Sequence, residues 1–339
     1  MYTSFMDAPR YRITNRLLSA LEKIATISSA ISESRLQLPV RLRLEQEAER
    51  RNTHSSTAIE GNQLSLEQVT ALSKEREVRG DARQKMEVLN YLKALRWVFR
   101  QSRRDLNEKN LLRLHLLITQ KLLGEERAGH YKKKPNYVVE GRGRVVYTPP
   151  TPAETPSLTR ALLDWTKNSA DVHPVIASAV FHHRLVSIHP FSDGNGRVAR
   201  AGAQWILYRR GFDPGHFYAI DDFYAKDRNR YYEKIQQARE LDGDLTYWIE
   251  YVAEGLLAAC EDVHERIRTL ARPSKEKITI TPKQEVLLGV LRGQSGVGSA
   301  EIGKKLKINR ARVHQLLAPL VKAGIVKTEG RARAARYYL

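Results

Sequence analysis

A mainly α-helical chain built from more than one unit is predicted, with a β-hairpin in its main body and a small helix-and-hairpin unit at its end. Three observations predict it. Apolar residues recur at helical spacing along most of the 339 residues. The code switches to short β-type runs between Gly129 and Pro150 and again after Gly324. The stretch Arg272-Pro273-Ser274-Lys275-Glu276-Lys277 has linker composition and separates the last residues of the chain from the body before them. Because the length exceeds a usual single core, we divide the chain into an N-terminal helical region (1–110), a core (111–268), a linker (269–280) and a C-terminal unit (281–339).

Composition sets the class. With 42% hydrophobic and 28% charged residues the chain reads as globular. Its one cysteine, Cys260, excludes an intrachain disulfide framework and reads as a small buried apolar residue. Met1 to Asp7 has neither a basic nor an apolar leader region, and no stretch reaches the ~18 apolar residues of a membrane span. A cytoplasmic chain with no membrane partner is therefore expected.

Taken in order, Tyr11 to Ser29 carries Ile13, Leu17, Leu21, Ile24 and Ile27, the spacing of an amphipathic helix. A highly charged helical stretch from Pro39 to Glu60 stops at Gly61-Asn62, a C-terminal cap signal. Ser56 and Glu60, four apart, share a face at its end. Ser65 signals the next cap, and Met86, Leu89, Leu92, Leu95, Val98 and Phe99 form a core stripe that Leu111, Leu114, Leu117 and Ile118 continue. Tyr137-Val138-Val139 and Val145-Val146-Tyr147 flank Gly141-Arg142-Gly143, so a hairpin is predicted, closed by Pro149-Pro150. Lys132, Lys133, Lys134, Arg142 and Arg144 make it basic, either as solvated charges or as a surface for an acidic target.

The chemistry concentrates in His189-Pro190-Phe191-Ser192-Asp193-Gly194-Asn195-Gly196-Arg197-Val198-Ala199-Arg200. Ala177, Phe181, Leu185 and Ile188 predict a helix before it, and Val198 to Arg209 predicts one after it, so the polar residues occupy the loop of a helix-loop-helix. A glycine loop entering a helix N-terminus presents backbone N–H groups to an anion, and phosphate is the obvious guest. Arg197 and Arg200, three apart, suit phosphate oxygens; Asp193 beside polyphosphate suits Mg²⁺; His189, ordinarily near a pKa of about 6.5, suits a general base. An EF-hand loop from Asp193 fails at Arg197, Val198 and Gln204, and a P-loop fails because Gly124 to Gly129 is followed by His130-Tyr131.

The run His189 to Arg200 resembles the Fic-domain signature, His-x-Phe-x-Asp-Gly-Asn-Gly-Arg-x-x-Arg, at every specified position. The resemblance implies an AMP transferase that moves the AMP of ATP onto a Ser, Thr or Tyr hydroxyl of a target protein, itself included. By this likeness His189 takes the hydroxyl proton and Asp193 holds Mg²⁺. Ser192, the backbone of Gly194, Asn195 and Gly196, and Arg197 line the nucleotide, and Arg200 reaches the γ-phosphate. In the kinase-like Doc branch a lysine replaces the second glycine; here that position is Gly196, which implies AMP as the transferred group. Ser56-Thr57-Ala58-Ile59-Glu60-Gly61 resembles the family's inhibitory helix, which implies that Glu60 pairs with Arg200 in place of the γ-phosphate and that Ser56 holds the helix there. Because this motif precedes the core, inhibition is expected within the chain. The hairpin 136–148 resembles the flap on which a target's backbone adds as a strand. Asp221 to Leu241 and the helix opened by Gly243 to Trp248 resemble the family's final helices, with Tyr232 a candidate against adenine; Arg239 stands where some relatives place an Asn. Tyr231 and Tyr232 read equally as core aromatics.

In the C-terminal unit, Pro282 to Leu291, Ser299 onward and Asn309 to Ala323 read as three helices, followed by a hairpin turning near Gly330. This order resembles the winged helix-turn-helix family, whose third helix would bring Asn309, Arg310, Arg312, His314 and Gln315 to a major groove. From Arg272 onward there are fifteen Lys and Arg against four Asp and Glu, a net +11 of the chain's +19, as suits duplex DNA. Dimerisation of two copies, or docking of a protein, is the alternative use of such a unit. Two functions are compatible with this sequence: an autoinhibited adenylyltransferase carrying a targeting unit, or a DNA-binding regulator whose Fic core senses ATP without turnover.

Overall fold

The computed structural model describes residues 8–34, 36–101, 103–140, 143–213, 215–270, 280–292, 294, 296–330 and 335–339. Of the linker expected at 269–280, residues 271–279 lie outside them, as does the hairpin turn at Gly141-Arg142. The main body runs α1 (Asn15–Glu33), α2 (Leu38–Ile59), α3 (Leu66–Ser73), α4 (Ala82–Gln101), α5 (Glu108–Thr119), β1 (Val138–Glu140), β2 (Arg144–Tyr147), α6 (Thr155–Asn168), α7 (Pro174–Ile188), α8 (Asn195–Arg209), α9 (Ile220–Lys226), α10 (Arg228–Glu240) and α11 (Thr246–Leu270). The end of the chain runs α12 (Pro282–Leu291), β3 (Val297–Gly298), α13 (Ser299–Leu306), α14 (Arg310–Lys322), β4 (Lys327–Glu329) and β5 (Arg336–Tyr338). The fold is thus mainly helical with a small hairpin, as the periodicity predicts. No helix among the described residues is long and apolar enough to cross a membrane.

The body is organised around α7, which is buried from Val175 to Ile188 with no solvent-exposed face, and around α8, packed against it. The two largest core side chains are anchored by their indole N–H groups: Trp205 donates to the Arg104 carbonyl and Trp248 to that of Ala179, each at 2.8 Å. Helix α1 packs along α11, and α2 packs on α4 and α9. One hydrophobic cluster therefore contains Leu17, Ile24, Ile59, Leu95, Phe181 and Leu256 together. The helices before residue 110 share their core with those after it, and the division drawn at 110/111 falls inside α5.

Strands β1 and β2 pair antiparallel, Val139 opposite Val145, with a shift between Val138 and Val139. The end unit has its own apolar cluster, including Leu287, Ile302, Val313, Leu317 and Tyr337, under a three-stranded antiparallel sheet of order β3-β5-β4. Thr281 and Gln284 form a capping box at α12, and Asn309 caps α14 by accepting from the Arg312 N–H at 2.8 Å. Asn309, read as a groove-facing side chain, is thereby engaged as a cap. Leu38 at the start of α2 packs on this second cluster, and ion pairs Arg292–Glu45 and Arg76–Glu329 join the unit to the body.

Two apolar residues assigned to core stripes do not reach it. Ile13 precedes α1 and is exposed, and Leu89 lies on the solvent side of α4. Helix α6 and strand β3 carry no expectation from the sequence.

Six side chains before residue 105, namely Leu17, Ile24, Ile59, Tyr91, Leu95 and Val98, are at most 1% exposed. At about 1.5–3 kcal/mol each, their burial rivals the whole stability of an ordinary domain, about 5–15 kcal/mol. A chain beginning at residue 105 is expected to show no cooperative thermal transition by circular dichroism while the full chain does. A soluble, cooperatively melting truncation would disprove the shared core.

Candidate active site

His189 ends α7 as its C-cap in the left-handed region, φ 52° and ψ 57°, with its N–H donating to the Leu185 carbonyl at 2.9 Å. This turn breaks α7 and starts the polar loop. The imidazole Nδ1 lies 3.1 Å from the Val186 carbonyl, a contact that requires the proton on Nδ1 and leaves Nε2 with its lone pair. Burial pushes its pKa down to about 4; the Val186 carbonyl and Glu60 act upward, Arg239 and Lys132 downward. The ring is neutral at pH 7 and can accept a proton at Nε2.

The loop is rigid for identifiable reasons. Asn195 accepts from the Phe191 N–H at 2.9 Å and donates to the Phe191 carbonyl at 2.8 Å. Phe191 stacks on His115 with ring centroids 3.9 Å apart. The His115 Nδ1 accepts from the Gly129 N–H at 2.9 Å, so its Nε2 donates to the Asp193 carbonyl at 3.1 Å. Burial lowers His115 to about 4 and keeps it in this neutral tautomer. Gly194 has φ 79°, and a Cβ there would stand 3.0 Å from Thr119 Cγ2, so both conformation and space demand glycine.

These contacts set what faces outward. Ser192 is exposed, and the Asp193 carboxylate is 46% exposed. Its Oδ1 accepts from the Gly194 N–H at 2.5 Å and lies 3.5 Å from Arg197 Nη2. The Gly194 amide thus faces Asp193, and the first-turn amides of α8 left without helical acceptors are those of Asn195, Gly196 and Arg197. The Arg197 side chain is buried, and its Nε has no partner among the described residues. An orphaned buried donor beside three open amides is a place for an anion.

Arg200 lies deepest, with a side chain that has no exposed surface. Its Nε donates to Ser56 Oγ at 2.7 Å, its Nη2 to the Ser56 carbonyl at 2.9 Å and to Glu60 Oε1 at 2.7 Å, and its Nη1 to the Tyr231 hydroxyl at 3.3 Å. Tyr231 passes a hydrogen bond to His182 Nε2 at 2.8 Å, the imidazole being held neutral by burial. The end of α2 thus meets the second motif arginine. A Cβ on Gly196 would stand 2.4 Å from Glu60 Oε1, so the carboxylate lies directly against the glycine loop.

Tyr232 is 40% exposed, with Arg228 over its ring at 5.4 Å and its hydroxyl donating to the Ile59 carbonyl at 3.4 Å. It flanks the α2 terminus, while Tyr231 is the aromatic that touches Arg200. Four contributors carry no signal of this supporting role in the sequence: His115, His182, Asn136 and Lys132. Asn136 donates to the Phe191 carbonyl at 2.9 Å, and the Lys132 ammonium donates to Asn136 at 2.8 Å. Lys132, which its neighbours in sequence group with the hairpin's surface cations, is in fact buried, which lowers its pKa to about 8. Arg239 lies 3.8 Å over the Tyr147 ring of β2 and donates to Ser187 Oγ at 3.0 Å, tying the hairpin to the end of α7.

Residues 105–207 match the Fic/DOC family. The chain carries a Fic domain. It is 32% identical to the protein adenylyltransferase Fic of Nematostella vectensis over 68% of this chain and 55% of that protein. The corresponding Drosophila yakuba protein is 30% identical over 71% of this chain and 46% of its own length. The chain thus spans about half the length of the curated relatives it matches. A Fic family protein from Desulfovibrio desulfuricans is similar over 98% of both chains, with TM-score 0.68 and 26% identity. The Fic domain covers α5 through most of α8, so it holds His189 and both motif arginines but not Ser56 or Glu60.

Because the His189 pKa is depressed, its ring stays neutral as pH falls until about 4, and the stability that depends on neutrality is lost below the ordinary value of about 6.5. An NMR titration of the ring carbon protons is expected to give a midpoint below about 5. A midpoint near 6.5 would contradict the buried, carbonyl-bonded geometry.

Proposed function

We propose that this chain transfers AMP from ATP to a hydroxyl of a target protein and is restrained by its own α2. The observation that carries the reading is Arg200, whose guanidinium is occupied by Ser56 and Glu60 while the His189 Nε2 is left as an acceptor. The α- and β-phosphates fit the open amides of Asn195, Gly196 and Arg197 and the Arg197 Nε. Asp193, the half-exposed carboxylate at that loop, fits Mg²⁺, which typically takes one or two carboxylates with waters and substrate phosphates. When bound, the ion would supply charge neutralisation at the phosphates. His189 Nε2 accepts the proton of the target hydroxyl; the oxygen bonds to the α-phosphorus and pyrophosphate leaves. Positioning is the main contribution of the loop, and the His115, Phe191 and Asn195 contacts provide it.

The hairpin 136–148 supports the choice of a protein acceptor. Tyr137, Val139 and Val145 are all more than half exposed on it, and Gln236 donates to the Val146 carbonyl at 3.3 Å, holding β2 toward α10. An added strand along this ribbon would bring backbone hydrogen bonds and an apolar contact together. Tyr232, beside the α2 terminus, is placed to border the adenine end of the nucleotide.

Glu60 opposes this chemistry by occupying the partner of the γ-phosphate. Glu60→Gly is expected to raise transfer of label from α-phosphate-labelled ATP to protein by at least about tenfold, and His189→Ala in that background to lower it by about 10² or more with nucleotide binding kept. Label from the γ-phosphate only would indicate a kinase. No label from either position, with ATP bound, would favour the second reading, a regulator locked by Glu60.

Residues 281–339 we assign to a winged helix-turn-helix that contacts duplex DNA through the exposed Arg310, Arg312, His314 and Gln315 of α14. Binding to a duplex is expected to weaken steeply with salt and to vanish when the chain is cut after Leu270. An oligomeric state that depends on this unit, with no DNA retained, would assign it to a homodimer instead.

A further inference from the structure

We propose that the cleft between α2, α4 and the C-terminal unit is a second anion site, built for a small phosphorylated ligand of the nucleotide class and separate from the glycine loop. Its volume is about 560 Å³, within the range of small-molecule sites. Seven basic side chains line it against two carboxylates. Both carboxylates are already engaged: Arg96 grips both oxygens of Glu49, and Arg292 grips both oxygens of Glu45. Among the described residues Arg41, Arg50, Lys74, Arg100 and Arg103 are left with no ion pair.

Arg41, Arg100 and Arg103 reach solvent, whereas Arg50 and Lys74 are half-buried, where a charge without a counter-charge is costly. Burial lowers the pKa of both Arg50 and Lys74; Glu49 and Glu47 act upward on Arg50, while at Lys74 the cations Lys327, Arg50 and Arg76 act downward and Glu329 upward. The same wall carries flat rings: Phe99 stacks on His216 with centroids 4.5 Å apart and planes 6° apart, and Tyr208 meets His216 edge-on. Burial lowers His216 to about 4, with Arg292 and Arg41 acting the same way, so it adds an aromatic face and no charge. Cations for phosphate beside rings for a base are the two halves of nucleotide recognition.

The position gives the site a consequence. Arg41, Glu45, Glu49 and Arg50 belong to α2, the helix whose far end carries Ser56 and Glu60, about 22 Å from Glu45 at 1.5 Å per residue. A ligand bridging α2 to Arg292 and Tyr338 fixes α2 against the C-terminal unit. Any effect of this on AMP transfer rests on the reading of Glu60 as inhibitory; the binding itself does not.

The test uses the full chain carrying Arg197→Glu, which reverses charge at the glycine loop, titrated with inorganic tripolyphosphate and with ATP by calorimetry at fixed salt. One equivalent of tripolyphosphate should bind, and ATP should bind more tightly than it. The further pair Arg50→Glu and Lys74→Glu should weaken both by at least about tenfold, and the charge-keeping pair Arg50→Lys and Lys74→Arg by less than about threefold. Should the charge-reversed pair fail to fold, Arg100→Glu with Arg103→Glu, both on exposed positions, carries the same expectation. Loss of all binding in Arg197→Glu, or equal binding with and without the cavity cations, would overturn the site. ATP binding no tighter than tripolyphosphate would overturn the nucleotide class.

Discussion

The structure turns on one buried guanidinium. Arg200 has no exposed surface and must be satisfied from within, because an unpaired charge in a protein interior costs several kcal/mol. In this chain the partners come from 140 and 144 residues away, on α2, through Glu60 Oε1, Ser56 Oγ and the Ser56 carbonyl. The fold of the first helices is therefore not separable from the site. Packing of α2 on α4 and α9 holds these acceptors where the motif helix needs them. The same arginine faces the glycine loop, so on the reading proposed above a phosphate arriving there and the Glu60 carboxylate would compete for one donor. Exchange of one anion for another is far easier than breaking a buried pair outright, since the charge is never left bare.

Around that arginine the site is dry and its imidazoles are neutral. Burial lowers His115, His182, His183 and His189; carbonyl partners fix the tautomers of His115, His183 and His189, and His182 is bonded to the Tyr231 hydroxyl. The arrangement separates two tasks that a charged histidine would mix. Arg197 and Arg200 carry a positive charge that they do not lose, while the His189 Nε2 remains unprotonated across the ordinary pH range. The Tyr231 hydroxyl links the two sets, accepting from Arg200 and donating to His182. A change at the α2 terminus is thus felt through a continuous chain of hydrogen bonds into the middle of α7.

The loop and its two helices were legible in the sequence because their chemistry is contiguous: His189 to Arg200 contains the base, the carboxylate, the glycines and both arginines. Helix periodicity gave α1, α2, α4 and α5 for the same local reason. What the sequence concealed is what depends on long-range contact. His115 supports Asp193 from 78 positions away and Asn136 supports Phe191 from 55, and neither residue type at those positions carries a local signal. Lys132 shows the opposite failure, since a run of three lysines reads as solvent-facing, yet the first of them is buried against the motif loop. Leu89 fits a core stripe by spacing and still faces solvent, because a stripe six residues long is wider than the face that α4 buries.

Charge behaves the same way at the scale of the chain. Counting residues places more than half of the net +19 beyond Arg272 and directs attention to that unit as the anion-binding part. Folding redistributes the matter. Of the cations around the cavity, all but Arg292 come from the body, on α2, α4 and the turns after α3 and α4, and Arg292 is neutralised by Glu45. The C-terminal unit contributes mainly a wall there, and the uncompensated charge is supplied by helices whose overall composition is mixed. Electrostatic function depends on which charges are left unpaired after folding, and only the side-chain pairing shows that. Helix α2 is where the two anion-facing regions meet: one end is packed on the C-terminal unit through Leu38 and Glu45, the other presents Glu60 to Arg200. A single rod of 22 residues, about 33 Å long, is stiff enough to make displacement at one end a displacement at the other.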